Sequence, residues 1–278
     1  MSETLSENLS AFACDTAVTR RTDGRFDATV TERWNVIDGA APNGGYLTAL
    51  ACKALAHDVA LPDPIGVTSQ FLTPINPGPC QIDTTVLRHG RRHAVATARI
   101  WQNDTICTQV TATFSDLSLA TGVTQIDRPK PDLPALDACI DTNRFAKEQH
   151  ADSPPIMERF DHRQPQSVLG WVAGAPSGDA TNGGYLRWAD GSTMDVFGLL
   201  VVVDCHFPAV FNSNAMKIGW VPTLELNIQI RQRPAEGFLT TWFQTRAITG
   251  GYLEEDGEVW DQDGNLIALS RQLALQSR

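Results

Sequence analysis

The chain has 278 residues, a formal net charge of -10, 42% hydrophobic and 19% charged residues. That balance is ordinary for a folded globular protein and too apolar for disorder. A net negative surface repels nucleic acid and anionic lipid, so no nucleic-acid partner is expected. The opening MSETLSENLS lacks the basic and apolar regions of a signal peptide, and no apolar run approaches the ~20 residues of a membrane span. The six cysteines stand singly, without a CxxC pair, as reduced and largely buried thiols would. A soluble, cytoplasmic protein of one large or two small domains is expected.

In chain order, residues 27–36 (DATVTERWNV) predict a strand. Asn43-Gly44-Gly45 punctuate, and from Tyr46 the apolar residues Leu47, Leu50, Ala51 and Leu55 recur at helical spacing. A helix over about 45–58 follows, stopped before Pro62 and Pro64. GVTSQFLTPI, CQIDTTVLRHG, RHAVATARIWQ and TICTQVTATFSDL then predict four strands of an antiparallel meander, separated by the turns NPGP, GRR and QND. One helix across one face of such a sheet is a complete unit. The stretch DRPKPDLPALDACIDTNRF, with Pro129, Pro131 and Pro134, predicts a linker or excursion.

The order then recurs. SVLGWVAG and GGYLRWAD predict strands, STMDVFGLLVVVDCHF a helix capped by Ser192 or Thr193, and four further stretches from TLELNIQIRQRP to NLIALSRQLALQ predict strands. SQFLTPINPG resembles LNIQIRQRPAEG at an offset near 157 residues, and RIWQNDTICT resembles EVWDQDGNLIAL with Trp101 aligned to Trp260, an offset of 159. This is an internal repeat. The expected organisation is an N-terminal repeat over 1–120, a linker or excursion over 121–165, and a C-terminal repeat over 166–278. NGGY occurs at 43–46 and 182–185, but the first copy leads into helical spacing and the second into a strand, so the two need not be equivalent.

Asp204 is a carboxylate inside the apolar run GLLVVVDCHFPAV, at the edge of the predicted helix's buried face. Burying an unpaired charge is costly, and the C-terminal end of a helix does not favour an acid. Asp204 is thus either a solvated last-turn residue or an acid held there for another reason. Thr223 opens a strictly alternating strand, where its hydroxyl can position a carboxylate or a water, or simply suit a strand. Gln272 lies between apolar neighbours in the last strand, although Gln109 and Gln276 are equally eligible by that argument. RHGRRH at 88–93 is the one dense basic cluster, either a solvated hairpin or a phosphate contact through Arg88, Arg91 and Arg92. The histidines show no metal-ligand spacing, and there is no GxSxG elbow, GxGxxG or Walker loop, so neither metal nor cofactor is expected.

APNGGYLTAL at 41–50, SQFLTPINPG at 69–78, VVVDCHFP at 201–208, VPTLELNIQIRQRP at 221–234 and GEVWDQDGNLIALSRQLAL at 257–275 resemble, in order and spacing, the double-hotdog acyl-CoA thioesterases related to bacterial thioesterase II. The resemblance covers about 25–114 and 168–276. It implies an α+β double hotdog: two tandem repeats, each a central helix wrapped by an antiparallel sheet. It implies hydrolysis of an acyl-CoA thioester, a role in fatty acid metabolism, no metal and no covalent serine intermediate. Asp204, Thr223 and Gln272 match the family's catalytic aspartate, threonine or serine, and glutamine. A homodimer or higher homo-oligomer is implied only through the family.

On that footing Asp204 would accept a proton from a water held with the help of Thr223 and Gln272. Backbone N–H groups at Gly44 and Gly45 would face the oxyanion. The acyl chain would lie in an apolar groove between the repeats. The 157 offset maps Thr223 onto Gly66, and the 159 offset maps Gln272 onto Thr113, so one site per chain is expected. A non-catalytic acyl-CoA or acyl-carrier binding protein would keep the groove without needing Asp204. A hotdog enoyl-CoA hydratase or dehydratase would need a histidine beside a carboxylate, for which His206 is the one candidate.

Overall fold

The computed structural model describes residues 10–37, 40–148, 153–216 and 218–276. The first half runs α1 (Ala11–Asp15), β1 (Thr19–Arg20), β2 (Phe26–Val30), β3 (Asn35–Ile37), β4 (Ala40–Pro42), α2 (Gly44–Ala56), β5 (Asp63–Phe71), β6 (Gly78–Arg88), β7 (Ala94–Gln102) and β8 (Thr105–Ser115). The middle contributes β9 (Ile140–Asp141), α3 (Thr142–Glu148) and β10 (Phe160–Gln164). The second half runs β11 (Thr181–Trp188), α4 (Val196–Val202), β12 (Thr223–Ile230), β13 (Leu239–Gln244), β14 (Ile248–Thr249), β15 (Tyr252–Trp260) and β16 (Leu266–Leu275).

Fourteen strands form one sheet in the order β1-β2-β6-β7-β8-β5-β12-β16-β15-β13-β11-β10-β9, with β14 on β15. Outward from the centre, β5-β8-β7-β6-β2 is mirrored by β12-β16-β15-β13-β11, which is the internal repeat made spatial. The halves join antiparallel at β5 and β12, from Glu225 opposite Gln70 to Gln229 opposite Gly66. Thr68 Oγ1 donates to Asn227 Oδ1 (2.9 Å) across that seam. Each half wraps a central helix, so the architecture is the α+β double hotdog. The middle segment, expected as an excursion, adds β9 and β10 to the sheet edge, where β10 pairs with β11.

α2 begins at Gly44 because the Asn43 side chain accepts the N–H of Tyr46 (2.8 Å). The spacing predicted one apolar stripe, yet every residue from Gly45 to Cys52 is buried. The curled sheet and α4 together surround the helix, and a helix surrounded in this way is apolar on all sides. Alternation on β7 turns Ala94, Ala96, Ala98 and Ile100 inward, and three small side chains in a row let α2 lie close. Leu50 and Leu55 are fully buried, each stabilising the fold by roughly 1.5–3 kcal/mol.

α4 is shorter than the expected helix over 192–207. Its cap is Asp195, which accepts the N–H of Gly198 (2.7 Å), rather than Ser192 or Thr193. It ends within the β-branched run Val201–Val203, just before Asp204. The predicted strand 27–36 is divided, because Glu32–Trp34 forms a 3-10 turn that carries Trp34 inward to stack on Tyr46 at 5.2 Å. The predicted strand SVLGWVAG is instead two 3-10 turns, Gln166–Val168 and Gly170–Ala173, bounded by Pro165 and by Gly174 at φ 70°. Among the described residues no helix is long and apolar enough to cross a membrane.

Candidate active site

The N-terminus of α2 abuts the C-terminus of α4. A Cβ added at Gly45 would stand 2.3 Å from the Leu200 carbonyl oxygen, and one at Gly44 would stand 2.6 Å from the Phe71 ring. Gly45 therefore lets the ends of the two central helices meet, and Gly44 leaves room for the Phe71 ring beside Asp204. Asp204 sits at this junction. Its Oδ2 accepts from the N–H of Gly45 (2.9 Å) and from Asn43 Nδ2 (3.0 Å), and Asn43 Nδ2 also donates to the Asp204 carbonyl oxygen (2.6 Å). The acid that its own helix end disfavours is held by the positive end of the other helix. Burial nevertheless dominates and raises the Asp204 carboxyl from 3.8 to about 6, against the pull of the Gly45 and Gly44 N–H groups and Asn43.

A second set of polar groups crosses β12, β16 and β15. Gln272 stands directly opposite Glu255 and two residues along β16 from Ala274, the partner of Thr223. The three side chains share the inner face as direct and diagonal neighbours. Thr223 Oγ1 donates to Gln272 Oε1 (2.7 Å), and Gln272 Nε2 donates to Glu255 Oε1 (2.9 Å). Glu255 Oε2 accepts the N–H of Ala209 (2.5 Å). Burial lifts the Glu255 carboxyl from 4.5 to about 7, and the nearby acids Asp204 and Glu254 push the same way.

Asp204, Thr223, Gln272 and Glu255 all line one cleft of about 790 Å³ between the repeats. Its walls are largely apolar. The first half supplies Leu47 and Phe71, the middle segment Ile156 and Met157, and the second half Trp171, Phe207 and Trp220. The sequence reading missed Glu255. The available signal was its place in the inward-facing series Leu253, Glu255, Gly257, Val259 on β15.

Other expected residues fall elsewhere. The N–H groups of Gly44 and Gly45, expected to face an oxyanion, face Asp204 instead. Arg88, Arg91 and Arg92 occupy the β6–β7 hairpin, where Ser115 Oγ donates to the Arg92 carbonyl oxygen. Ser115 pairs with Asp63, eight residues along β5 from Phe71, about 26 Å at ~3.3 Å per residue. The basic hairpin is thus not brought to the cleft. Gln109 lies on β8 beside Gln70 and is not a cleft residue, nor is Gln276. His206 Nε2 lies 2.9 Å from Thr241 Oγ1, and its ring packs on His162 and Phe243. Burial first, and then His162, keeps His206 neutral, well below 6.5. Among the described residues no three His, Cys, Asp or Glu side chains are grouped to hold a metal.

Two family models match the chain. The acyl-CoA thioesterase N-terminal domain matches residues 30–115, and the acyl-CoA thioesterase C-terminal domain matches residues 131–276. The chain therefore belongs to the acyl-CoA thioesterase family, and it is a thioester hydrolase acting on a small-molecule acyl-CoA. An uncharacterized protein of Mycobacterium tuberculosis is 24% identical over 280 residues, covering 90% of each chain. Among solved structures, a Thermobifida fusca protein assigned as a thioesterase II superposes with a TM-score of 0.85 at 23% identity, over 98% of this chain and 99% of that one. A hot dog fold protein of unknown function from Alicyclobacillus acidocaldarius superposes with a TM-score of 0.81 at 21% identity, over 97% and 99%.

Proposed function

We propose that the chain hydrolyses acyl-CoA thioesters with a water activated by Asp204 and held by Thr223 and Gln272. The observation that carries this reading is the position of Asp204 between two helix ends, within the cleft that Thr223 and Gln272 also line. The Asn43 and Gly45 N–H bonds fall on Oδ2 and the Gly44 N–H also acts on the carboxylate, so the base is held in the cleft, where it accepts a proton from water. A base with a pKa of about 6 is ionised at neutral pH yet still basic enough to take that proton.

In the reaction, Asp204 removes a proton as the water oxygen bonds to the thioester carbon. The tetrahedral intermediate then collapses with cleavage of the C–S bond, and the departing thiolate takes a proton back through Asp204. The acyl chain lies along the apolar walls of the cleft. The Gly45 N–H already serves Asp204, so the α2 terminus contributes by anchoring the base. The neutral His206, turned to Thr241, disfavours the hydratase reading. The test is release of free thiol from a panel of acyl-CoAs. D204N should reduce the rate at least ~10²-fold, the usual scale for loss of a general base. D204N retaining near wild-type rates would refute the mechanism, and binding without thiol release by the wild type would refute hydrolysis itself.

A further inference from the structure

We infer that Glu255 is a positioning residue that sets the direction of the hydrogen-bond chain through Gln272 to Thr223, and so determines which atoms of Thr223 and Gln272 meet the water. The inference rests on the water-mediated reading above and extends it to a fourth side chain.

The argument is one of donors and acceptors. A glutamine amide has one acceptor end and one donor end, and turning it over exchanges them at almost no steric cost. What holds the Gln272 amide one way round is a partner that can only accept. Ionised Glu255 is such a partner: Oε1 takes the hydrogen of Gln272 Nε2 at 2.9 Å, while Oε2 is occupied by the Ala209 N–H. Glu255 is only 4% exposed, so it is fixed in place by its surroundings. With Nε2 directed to Glu255, Gln272 Oε1 is left to accept, and it takes the single hydrogen of Thr223 Oγ1 at 2.7 Å.

The Thr223 hydroxyl then has only lone pairs to offer the cleft, and Gln272 has one remaining N–H. A water there gives one hydrogen to Asp204 and the other to Thr223 Oγ1, which leaves a lone pair of the water free for the carbonyl carbon. With the amide reversed, the Thr223 hydroxyl becomes a donor and no longer accepts the second hydrogen of the water, so the water turns and its free lone pair is no longer aimed at the carbonyl carbon. Glu255 therefore affects the reacting water without touching it.

The experiment is a double-mutant cycle on thiol release, run at pH 8, where Glu255 is ionised. E255M removes the acceptor at similar size, and E255Q serves in the same cycle should E255M not fold. Q272M is the second arm. The expected result is a fall in kcat of about 10-fold for E255M, the scale of loss on removing an outer hydrogen-bond partner, with KM changed less than about 2-fold. In the Q272M background, adding E255M should then change kcat by less than about 2-fold, because residues acting through one another are not additive. A residue that merely anchors the Ala209 turn gives the same loss in both backgrounds, and that outcome overturns the inference. An unchanged kcat in E255M, with Q272M impaired, also overturns it while sparing the role of Gln272. An unchanged kcat in Q272M overturns both.

Discussion

Replacing Asp204 by asparagine should make the protein more stable as well as inactive, and the gain should grow with pH. The folded-state pKa of Asp204 is raised from 3.8 to about 6, chiefly by burial. A group with a raised folded-state pKa contributes stability that is present in full below pH 3.8 and is lost as pH rises through about 6. The interval is about two pH units and each is worth about 1.4 kcal/mol, so holding the ionised carboxylate at pH 8 costs up to about 3 kcal/mol. Asparagine has the same shape, and its amide oxygen can accept from the Gly45 N–H and Asn43 without a charge. Relief of Glu255, which Asp204 pushes upward, adds in the same direction above pH 7. D204N should therefore melt above wild type at pH 8 by roughly 6 °C from the Asp204 charge alone, taking about 2 °C per kcal/mol for a chain of this size. Near pH 4.5 the difference should fall to about a third of that, roughly 1 kcal/mol or about 2 °C. Thermal melts of both proteins at pH 4.5, 6 and 8 measure it, and unrelated groups cancel in the difference. A D204N effect that is equal at pH 4.5 and 8, or that shrinks with rising pH, would refute the account of how Asp204 is held.

Three further outcomes are expected. T223S should keep most of the thiol-release rate and T223V should lose roughly 10-fold or more, because the Gln272 bond needs a hydroxyl and not a methyl group. G45A should lower the melting temperature and abolish activity together: its Cβ would stand 2.3 Å from the Leu200 carbonyl, and forcing packed backbones apart costs about 1–3 kcal/mol. H206Q should keep thioester hydrolysis within about 3-fold in the same assay, since neutral His206 serves Thr241 and is not asked to move a proton.

Much of the fold was legible because hydrophobic period survives in a repeated sequence. The eight strands of the two meanders lie where alternation placed them, and Trp101 and Trp260 occupy the ends of β7 and β15, as their offset required. The failures have local causes. The strand expected over 27–36 breaks at Trp34 because stacking on Tyr46 outweighs strand continuity. The helix expected over 192–207 begins late because Asp195, not Ser192 or Thr193, finds the free N–H.

The sequence by itself determined the periods, the glycine pair at 44–45 and the oddity of an acid in an apolar run, since each depends only on neighbouring residues. Tertiary structure decided what that acid meets. Asp204 and Gly45 are 159 residues apart in the chain, and only the abutting of two helices turns an unfavourable helix end into a held carboxylate. The row Glu255, Gln272, Thr223 likewise depends on strand register. A shift of one residue on β16 would turn Gln272 away from both partners, because side chains alternate between faces with a period of two.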